Sequence, residues 1–469
     1  MRRNKKRAFV FAAVPAAFIA LAALIVCFLQ PGRDFPPSII LVTLDTVRQD
    51  HLSAYGYYRD TSPGLEALSE DGVTFDHCYT PLPHTLPAHF SLLTSQPPSV
   101  HGVLNNRMRC RNERVPYLAA HLKRQGFETA GFMGSGIFRP GGGIKKGFDK
   151  FYSNLWRERP ENRKTRLNNY VRGADEVVLL AENWLEEQDK TKPFFIWLHF
   201  WDAHGPYYSP PGYIDRYKTD ARLKRVMESR NQAPTFTYKG RVWPTATGIN
   251  QYDGGIRFID DELAGFWEFL QERGLYDDCF ILVTSDHGEG LNEHGTYVHG
   301  DNVHEEAVRI PVIMRFPDGR YSGREVHSLV NIMELAPTVL DALNLTSLPR
   351  AKGRSLVPLI RGEADAKDRS IMLETRVKEK AEDEEAPPPV SFGVATARWK
   401  YIVTEEGEES LYDLLHDPHE LENVASSYPE VLERLRRELR KLKKRYPAYK
   451  PEQEKISAEM KKRLKALGY

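Results

Sequence analysis

Two apolar runs that each end in a carboxylate constrain this chain most. Leu41-Val42-Thr43-Leu44 runs into Asp45, and far downstream Leu282-Val283-Thr284-Ser285 runs into Asp286 and His287. Neither run alternates apolar with polar positions, which suits strands covered on both faces by helices. Between them lies Pro83-His84-Thr85-Leu86-Pro87-Ala88-His89, a hydroxyl followed by a proline suited to the first turn of a helix. In open α/β sheets, ligands sit beyond the carboxyl ends of the strands. Asp45, Asp202 and Asp286 all occupy that position in the sequence.

The intervening chain alternates between strand-like and helix-like patterning, which reads as α/β. Strands are expected at Ser38–Leu44, Thr129–Met133, Phe194–Trp201, Phe280–Thr284 and Pro311–Phe316. Helices are expected at Leu65–Glu70, His89–Leu93, Tyr117–Gln125, Gly173–Glu187, Ile256–Gln271 and Ile332–Leu343. Lys378–Pro389 is charged and proline-rich, the composition of an exposed loop. Short antiparallel strands follow at Phe392–Thr396, Lys400–Val403 and Ser410–Tyr412. Glu430–Arg445 then forms a basic helix with Leu432, Leu435, Leu439 and Leu442 along one face. The formal charge of +1 gives no reason to expect nucleic acid or a strongly acidic partner.

The amino terminus differs from the rest. Arg2, Arg3, Lys5, Lys6 and Arg7 precede an uncharged apolar run from Ala8 to Leu29, long enough to cross a bilayer as a helix. The basic flank places residues 1–7 in the cytoplasm and the bulk of the chain on the exported side, whether periplasmic or at the cell surface. A cleaved signal peptide is the alternative, against which stands the lack of an Ala-x-Ala site before Asp34. Beyond this segment, Cys78, Cys110 and Cys279 leave two readings open: a Cys78–Cys110 disulfide, or three separate thiols. Asn344-Leu345-Thr346 fits a glycosylation sequon, relevant only in a eukaryotic secretory route.

Asp45, Asp286 and His287 offer two carboxylates and an imidazole that one divalent cation can gather. A lone Asp after a strand is ordinarily a helix cap, and it is the conjunction of the two motifs that favours metal. Thr85 stands where a helix N-terminus favours negative charge, so its hydroxyl suits attack on phosphorus or sulfur; the plainer reading is an N-cap. His199, Asp202 and His204 follow an aromatic strand, where they are placed to contact substrate or to support the site. Arg48 is the nearest fixed cation to Asp45 in sequence.

These motifs resemble the sulfatase family of the alkaline-phosphatase-like superfamily. Where sulfatases carry Cys or Ser, matured to formylglycine, in a C/S-x-P-x-R motif, this chain has Thr85-x-Pro87-x-His89. Threonine cannot become formylglycine, and His89 stands in place of the arginine that steadies the nucleophile. The resemblance implies metal ligation by Asp45, Asp286 and His287, with Thr46 at the position of a second Asp in many members. It implies Ca²⁺, while the mixed oxygen and nitrogen donors leave Mn²⁺ or Zn²⁺ open. His204 matches the histidine of a D-P-H-x-P-[FY] signature that contacts the ester. His299 matches a Lys or His that protonates the leaving oxygen, with His294 and His304 as rivals. Arg48, His199 and His294 are expected at the substrate.

Arg398-Trp399-Lys400-Tyr401, Leu411-Tyr412-Asp413-Leu414, Asp417-Pro418 and Glu422-Asn423 resemble the family's C-terminal subdomain, so the likeness runs from Pro37 to about Arg445. It implies an alkaline-phosphatase-like α/β sandwich with a mostly parallel central sheet and a small antiparallel C-terminal subdomain. The expected organisation is a basic tail and anchor over residues 1–30, a catalytic domain over 37–375, a subdomain over 390–446 and a tail over 447–469. The expected activity is metal-dependent hydrolysis of a sulfate or phosphate ester carried by a glycan, lipid or small molecule. Two alternatives remain at this point. One is a phosphodiesterase or phosphoethanolamine-type phosphotransferase acting on envelope lipids or glycans, since threonine nucleophiles are familiar there. The other is a sulfatase-like binding protein that no longer turns over.

Overall fold

The computed structural model describes residues 35–110, 112–138, 143–155, 171–207, 209–238, 241–363, 369–375, 390–447, 462 and 465–466. The expected anchor over residues 1–30 and the Lys378–Pro389 loop lie outside them, as does most of the 447–469 tail. Among the described residues no helix is long and apolar enough to cross a membrane.

Nine strands form a mixed, mostly parallel sheet: β1 (Ser38–Leu44), β2 (Val73–Tyr79), β3 (Glu128–Met133), β4 (Lys150–Tyr152), β5 (Phe194–Phe200), β8 (Cys279–Ser285), β9 (Arg309–Ile310), β10 (Val312–Arg315) and β11 (Arg324–Asn331). Their order is β11-β2-β10-β8-β1-β5-β3-β4, with β9 paired to β2. β10 runs antiparallel to both of its neighbours. Alternate residues of each central strand enter two different cores. Ile39 and Leu41 of β1 pack with Phe195 and Trp197 of β5 on one face. Ile40, Val42 and Leu44 pack with Ile196, Leu198 and Phe200 on the other. Both faces being covered explains why the strand sequences show no polar alternation.

The remaining strands are two smaller sets. β6 (Thr235–Tyr238) and β7 (Arg241–Pro244) make a two-stranded ribbon. β12 (Ile371–Glu374), β13 (Ser391–Ala395), β14 (Trp399–Thr404) and β15 (Glu409–Asp413) form an antiparallel sheet in that order. One face of this sheet, through Leu373, Ala395, Ile402 and Tyr412, packs on Tyr79, Val303, Val308 and Leu329. The other carries the Pro429–Arg445 helix, whose four leucines meet Val394, Trp399, Tyr401 and Leu411.

All the expected strands form, and β2, β4, β9, β11, β12 and the β6–β7 ribbon are additional. β2 and β11 escape the sequence pattern because Asp76, His77, Arg324, Glu325 and His327 interrupt them near the sheet's edge. The expected Pro311–Phe316 strand forms as β10, and Pro311, which has no N–H to donate, separates it from β9. The helix expected at Ile256 begins earlier, spanning Thr245–Glu272. Of the two readings of the cysteines, the structure shows separate thiols. Cys78 and Cys279 are buried, and the half-buried Cys110 donates to the carbonyl of His101 at 3.3 Å.

Candidate functional site

The sheet register builds the centre of the site. β1 and β8 are adjacent and parallel, and Leu44 pairs with Ser285, so the next residues, Asp45 and Asp286, leave the same end of the sheet side by side. Ligand atoms of Asp45, Asp286 and His287 lie within 4.8 Å of one another, and all three residues are fully buried. Asp286 is held by the N–H groups of Thr46 (3.2 Å) and His287 (2.9 Å), both donating to Oδ1. Thr46 adopts φ 61°, an uncommon conformation for a β-branched residue and a form of strain found at functional sites. Its Oγ1 donates to the carbonyls of Asp45 (2.7 Å) and Ala203 (3.2 Å), so Thr46 meets the cluster through its backbone, not through the side chain expected as a ligand.

The charge of this cluster is not resolved by protein atoms. Asp45 Oδ1 and Asp286 Oδ2 are buried with no hydrogen-bond partner. Burial, then the nearby Asp286 and Glu289, push the Asp45 carboxyl well above the usual carboxylate range. Buried unsatisfied carboxylate oxygens facing each other call for a cation. The donor set fits one: two carboxylates and an imidazole. His287 Nδ1 lies 2.9 Å from the Gly288 carbonyl, which can only accept, so Nδ1 holds the proton and Nε2 keeps its lone pair toward the cluster.

Thr85 opens the Thr85–Thr94 helix, with His84 as the preceding cap position. It is therefore the first helical residue, not the N-cap. Its Oγ1 lies 3.5 Å from His287 Nε2. His89, one turn on, donates from Nδ1 to the Thr85 carbonyl (2.7 Å) and lies 3.6 Å from Asp286 Oδ2. Burial lowers the His89 pKa, and Asp286 only partly offsets it. His89 is thus a neutral spacer in place of a fixed cation. His199 Nε2 lies 3.1 Å from Asp45 Oδ2, and burial holds its pKa well below the ordinary value, so it donates to Asp45 as a neutral ring.

Two further histidines complete the group. His204 stacks on Trp201, bonds the Gly205 carbonyl through Nδ1 (2.5 Å), and is pushed by burial down to about 3. His299 has ring centroids 4.9 Å from His204 and 4.4 Å from His287. Its Nδ1 meets Glu289 Oε1 at 3.0 Å. Glu289 has no place among the residues expected at the site from sequence; its position two residues after His287 was the available signal.

The structure therefore gathers Asp45, Thr85, His89, His199, His204, Asp286, His287 and His299. Arg48 and His294 are directed elsewhere. The Arg48 guanidinium bonds Asp50 (2.8 and 2.9 Å), Glu293 (2.8 Å) and the Glu289 carbonyl (3.2 Å). His294 bridges Glu306 Oε1 (3.0 Å) and the Glu420 carbonyl (3.1 Å), and its ring stacks on His304. These two pin the loop after Asp286 to its surroundings. At Gly288, any Cβ would fall 1.9 Å from the Glu306 carbonyl oxygen, so the close crossing of the two segments requires glycine.

Known proteins share this frame. The family described as Sulfatase matches residues 37–345, and that described as N-sulphoglucosamine sulphohydrolase, C-terminal, matches residues 292–445. A "Sulfatase" of Formosa agariphila is 25% identical over 84% of this chain and 83% of its own length. An "Arylsulfatase" of Clostridium perfringens is 24% identical over 86% and 93%. A solved structure described as in complex with its substrate D-glucosamine-2-N,6-O-disulfate superposes with a TM-score of 0.72 at 19% identity, covering 88% of this chain and 98% of that one. A phosphonate monoester hydrolase of Agrobacterium radiobacter gives 0.70 at 22% identity, covering 87% and 96%. With the strand-end carboxylates, the helix that opens at Thr85 and the antiparallel C-terminal sheet all in that frame, the chain belongs to the sulfatase family of ester hydrolases.

Proposed function

We propose that this protein hydrolyses sulfate, phosphate or phosphonate esters with Thr85 as the nucleophile and a divalent cation held by Asp45, Asp286 and His287. The observation that carries this reading is the Thr85 hydroxyl, 3.5 Å from His287 Nε2 at the edge of a carboxylate pair with one unpartnered buried oxygen on each member. When bound, the cation lowers the pKa of a ligating hydroxyl and polarises the ester oxygens.

The chain's own residues do the rest. His89 holds the Thr85 carbonyl, which fixes the first turn and the direction of the hydroxyl. Oγ1 gives its proton to a water molecule and attacks the sulfur or phosphorus, and the bond to the leaving oxygen breaks. His299, steadied at Nδ1 by Glu289, is placed to protonate that oxygen from its other nitrogen. His204, fixed by Trp201 and the Gly205 carbonyl, lines the same space and contacts the ester. His199 orients Asp45 and does not touch substrate itself.

A threonine ester cannot collapse as a formylglycine hemiacetal does. Water or an acceptor hydroxyl must attack the sulfur or phosphorus again and displace Thr85. Phosphorus tolerates this double displacement well, and a phosphonate monoester hydrolase shares the fold. We infer that phosphorus esters are turned over at least as well as sulfates. The test is competition between 4-nitrophenyl sulfate, phosphate and phenylphosphonate, with mass spectrometry of quenched protein for an adduct on Thr85. A strong sulfate preference that survives in Thr85→Ala would mean that water attacks directly and Thr85 has a structural part only.

A further inference from the structure

We infer that the β6–β7 ribbon is a saccharide-binding platform, with Trp243 stacking on a sugar ring and Arg241 pairing with an acidic group on it, next to the unit that carries the scissile ester. This deepens the ester-hydrolase reading above and rests on it. The ribbon is unusual in what it leaves in water. Trp243 is 39% exposed and Val242, on the opposite face, 70%; among the described residues only Leu415, Leu421 and Tyr428 are other large apolar side chains this exposed. Exposed apolar groups that adjoin a reaction centre mark ligand grooves more often than they mark loose packing.

Register fixes which side chains share a face. Phe236 is directly opposite Trp243, and in an antiparallel pair opposite residues project to the same side. Arg241, two residues before Trp243, projects to that side as well. Phe236 is covered by Tyr297, so the face offers the Trp243 ring and an exposed Arg241 guanidinium for which no ion pair is seen among the described residues. Aromatic faces take the apolar face of a sugar ring, and guanidinium takes sulfate, phosphate or carboxylate bidentately.

The ribbon is braced against the loop that carries His299. Phe236 stacks almost parallel on Tyr297, at an interplanar angle of 12°. Tyr297 lies two residues before His299, within the loop that Glu289 and Arg48 secure. Both ends of the ribbon are tied to that loop by amides. The Asn292 side chain donates to the Ala233 and Thr235 carbonyls (2.9 Å each) and to Thr245 Oγ1 (3.0 Å). Gln232 donates to the Leu291 carbonyl and to Glu293 Oε1 (2.9 Å each). A saccharide seated on Trp243 therefore rests on an element fixed to the loop that bears His299.

The experiment uses the full-length protein carrying Thr85→Ala, which holds ligand without turnover, and tetrasaccharides from heparin, chondroitin sulfate and carrageenan as probes. Calorimetry should show saturable binding of at least one of them. Adding Trp243→Ala should raise its Kd about tenfold, as should Arg241→Ala, the latter with a shallower dependence on salt. In the Thr85 protein, the Trp243→Ala loss should fall on KM for the saccharide ester and leave kcat in place. Absence of saturable binding by all three probes overturns the platform. So does an unchanged Kd in both variants, or an equal fall of kcat on saccharide and aryl esters, which would make the ribbon a brace for the His299 loop. Full activity in Thr85→Ala would remove the proposed nucleophile and leave the binding result standing on its own.

Discussion

Threonine at position 85 differs from a serine by one methyl group, and from formylglycine by its entire second half-reaction. Replacing Thr85 with Ala should lower kcat by at least about 10³-fold, the scale on which removal of an activated nucleophile acts. Thr85→Ser should keep a measurable fraction, because the hydroxyl remains at the first helical position. Steady-state kinetics on the preferred aryl ester checks both. A second expectation concerns Asp45 and Asp286. With an unpartnered oxygen on each of two carboxylates in one buried space, a chelator should lower the melting temperature of the parent protein. Asp286→Asn should abolish metal uptake, measured by elemental analysis, and make the melting temperature indifferent to the chelator. At this scale the sequence was informative because each ligand sits at a strand end, where position in the motif determines position in space. Arg48 and His294 were assigned to substrate because their partners, Asp50, Glu293, Glu306 and the Glu420 carbonyl, cannot be seen from motif spacing.

The loop between β8 and β9 is the element on which the site depends, and its charges make it responsive to pH. Burial opposes a charge on His294, but the hydrogen bond and charge of Glu306 outweigh it and push its pKa up to about 9. Glu306 is drawn down to about 2, against its own burial, by His294 first and then His304. A raised imidazole stabilises fully below its unfolded value of ~6.5 and loses that contribution as pH rises through about 9. A depressed carboxyl stabilises fully above its unfolded value of ~4.5 and loses it as pH falls through about 2. The pair therefore acts at full strength between roughly pH 4.5 and 6.5. Melting temperature should decline from there toward pH 9, and His294→Gln should flatten that decline. Elements with one kind of neighbour were readable: the leucine-faced helix, the all-apolar strands. β2 and β11 were not, because the charged residues along them resemble loop content until the sheet edge is known.

At the scale of the molecule, the C-terminal sheet is joined to the catalytic sheet by a buried charged junction. Lys400, fully buried, meets Glu305 Oε1 at 2.9 Å and Glu420 Oε1 at 3.2 Å, while Glu420 also accepts from the Glu305 N–H (2.6 Å). Removing the lysine takes the shared cation from the buried Glu420 and the partly buried Glu305, which keep only His304 and Arg309 as charged neighbours, so Lys400→Met should cost about 3–5 kcal/mol in urea unfolding. The same substitution should depress kcat, since Glu305 begins the segment whose Glu306 secures His294. The proposed membrane location is tested by fractionation: the intact chain should partition with membranes, and a chain lacking residues 1–30 should be released.

Sheet order separates what the gene places together. β1 and β2 are consecutive strands, yet β8 and β10 lie between them, and both are made in the last half of the chain. Until β8 arrives, the half-sheet that bears Asp45 and the strand that leads to Thr85 have no common edge. A ribosome that has completed only the first two hundred or so residues thus holds every part of the nucleophile's helix and none of its partner Asp286. Asp286 and His287 exist only once β8 has been made, so no amino-terminal fragment that ends before them can hydrolyse an ester by this route. Non-local pairing of this kind folds slowly and leaves strand edges open while it waits.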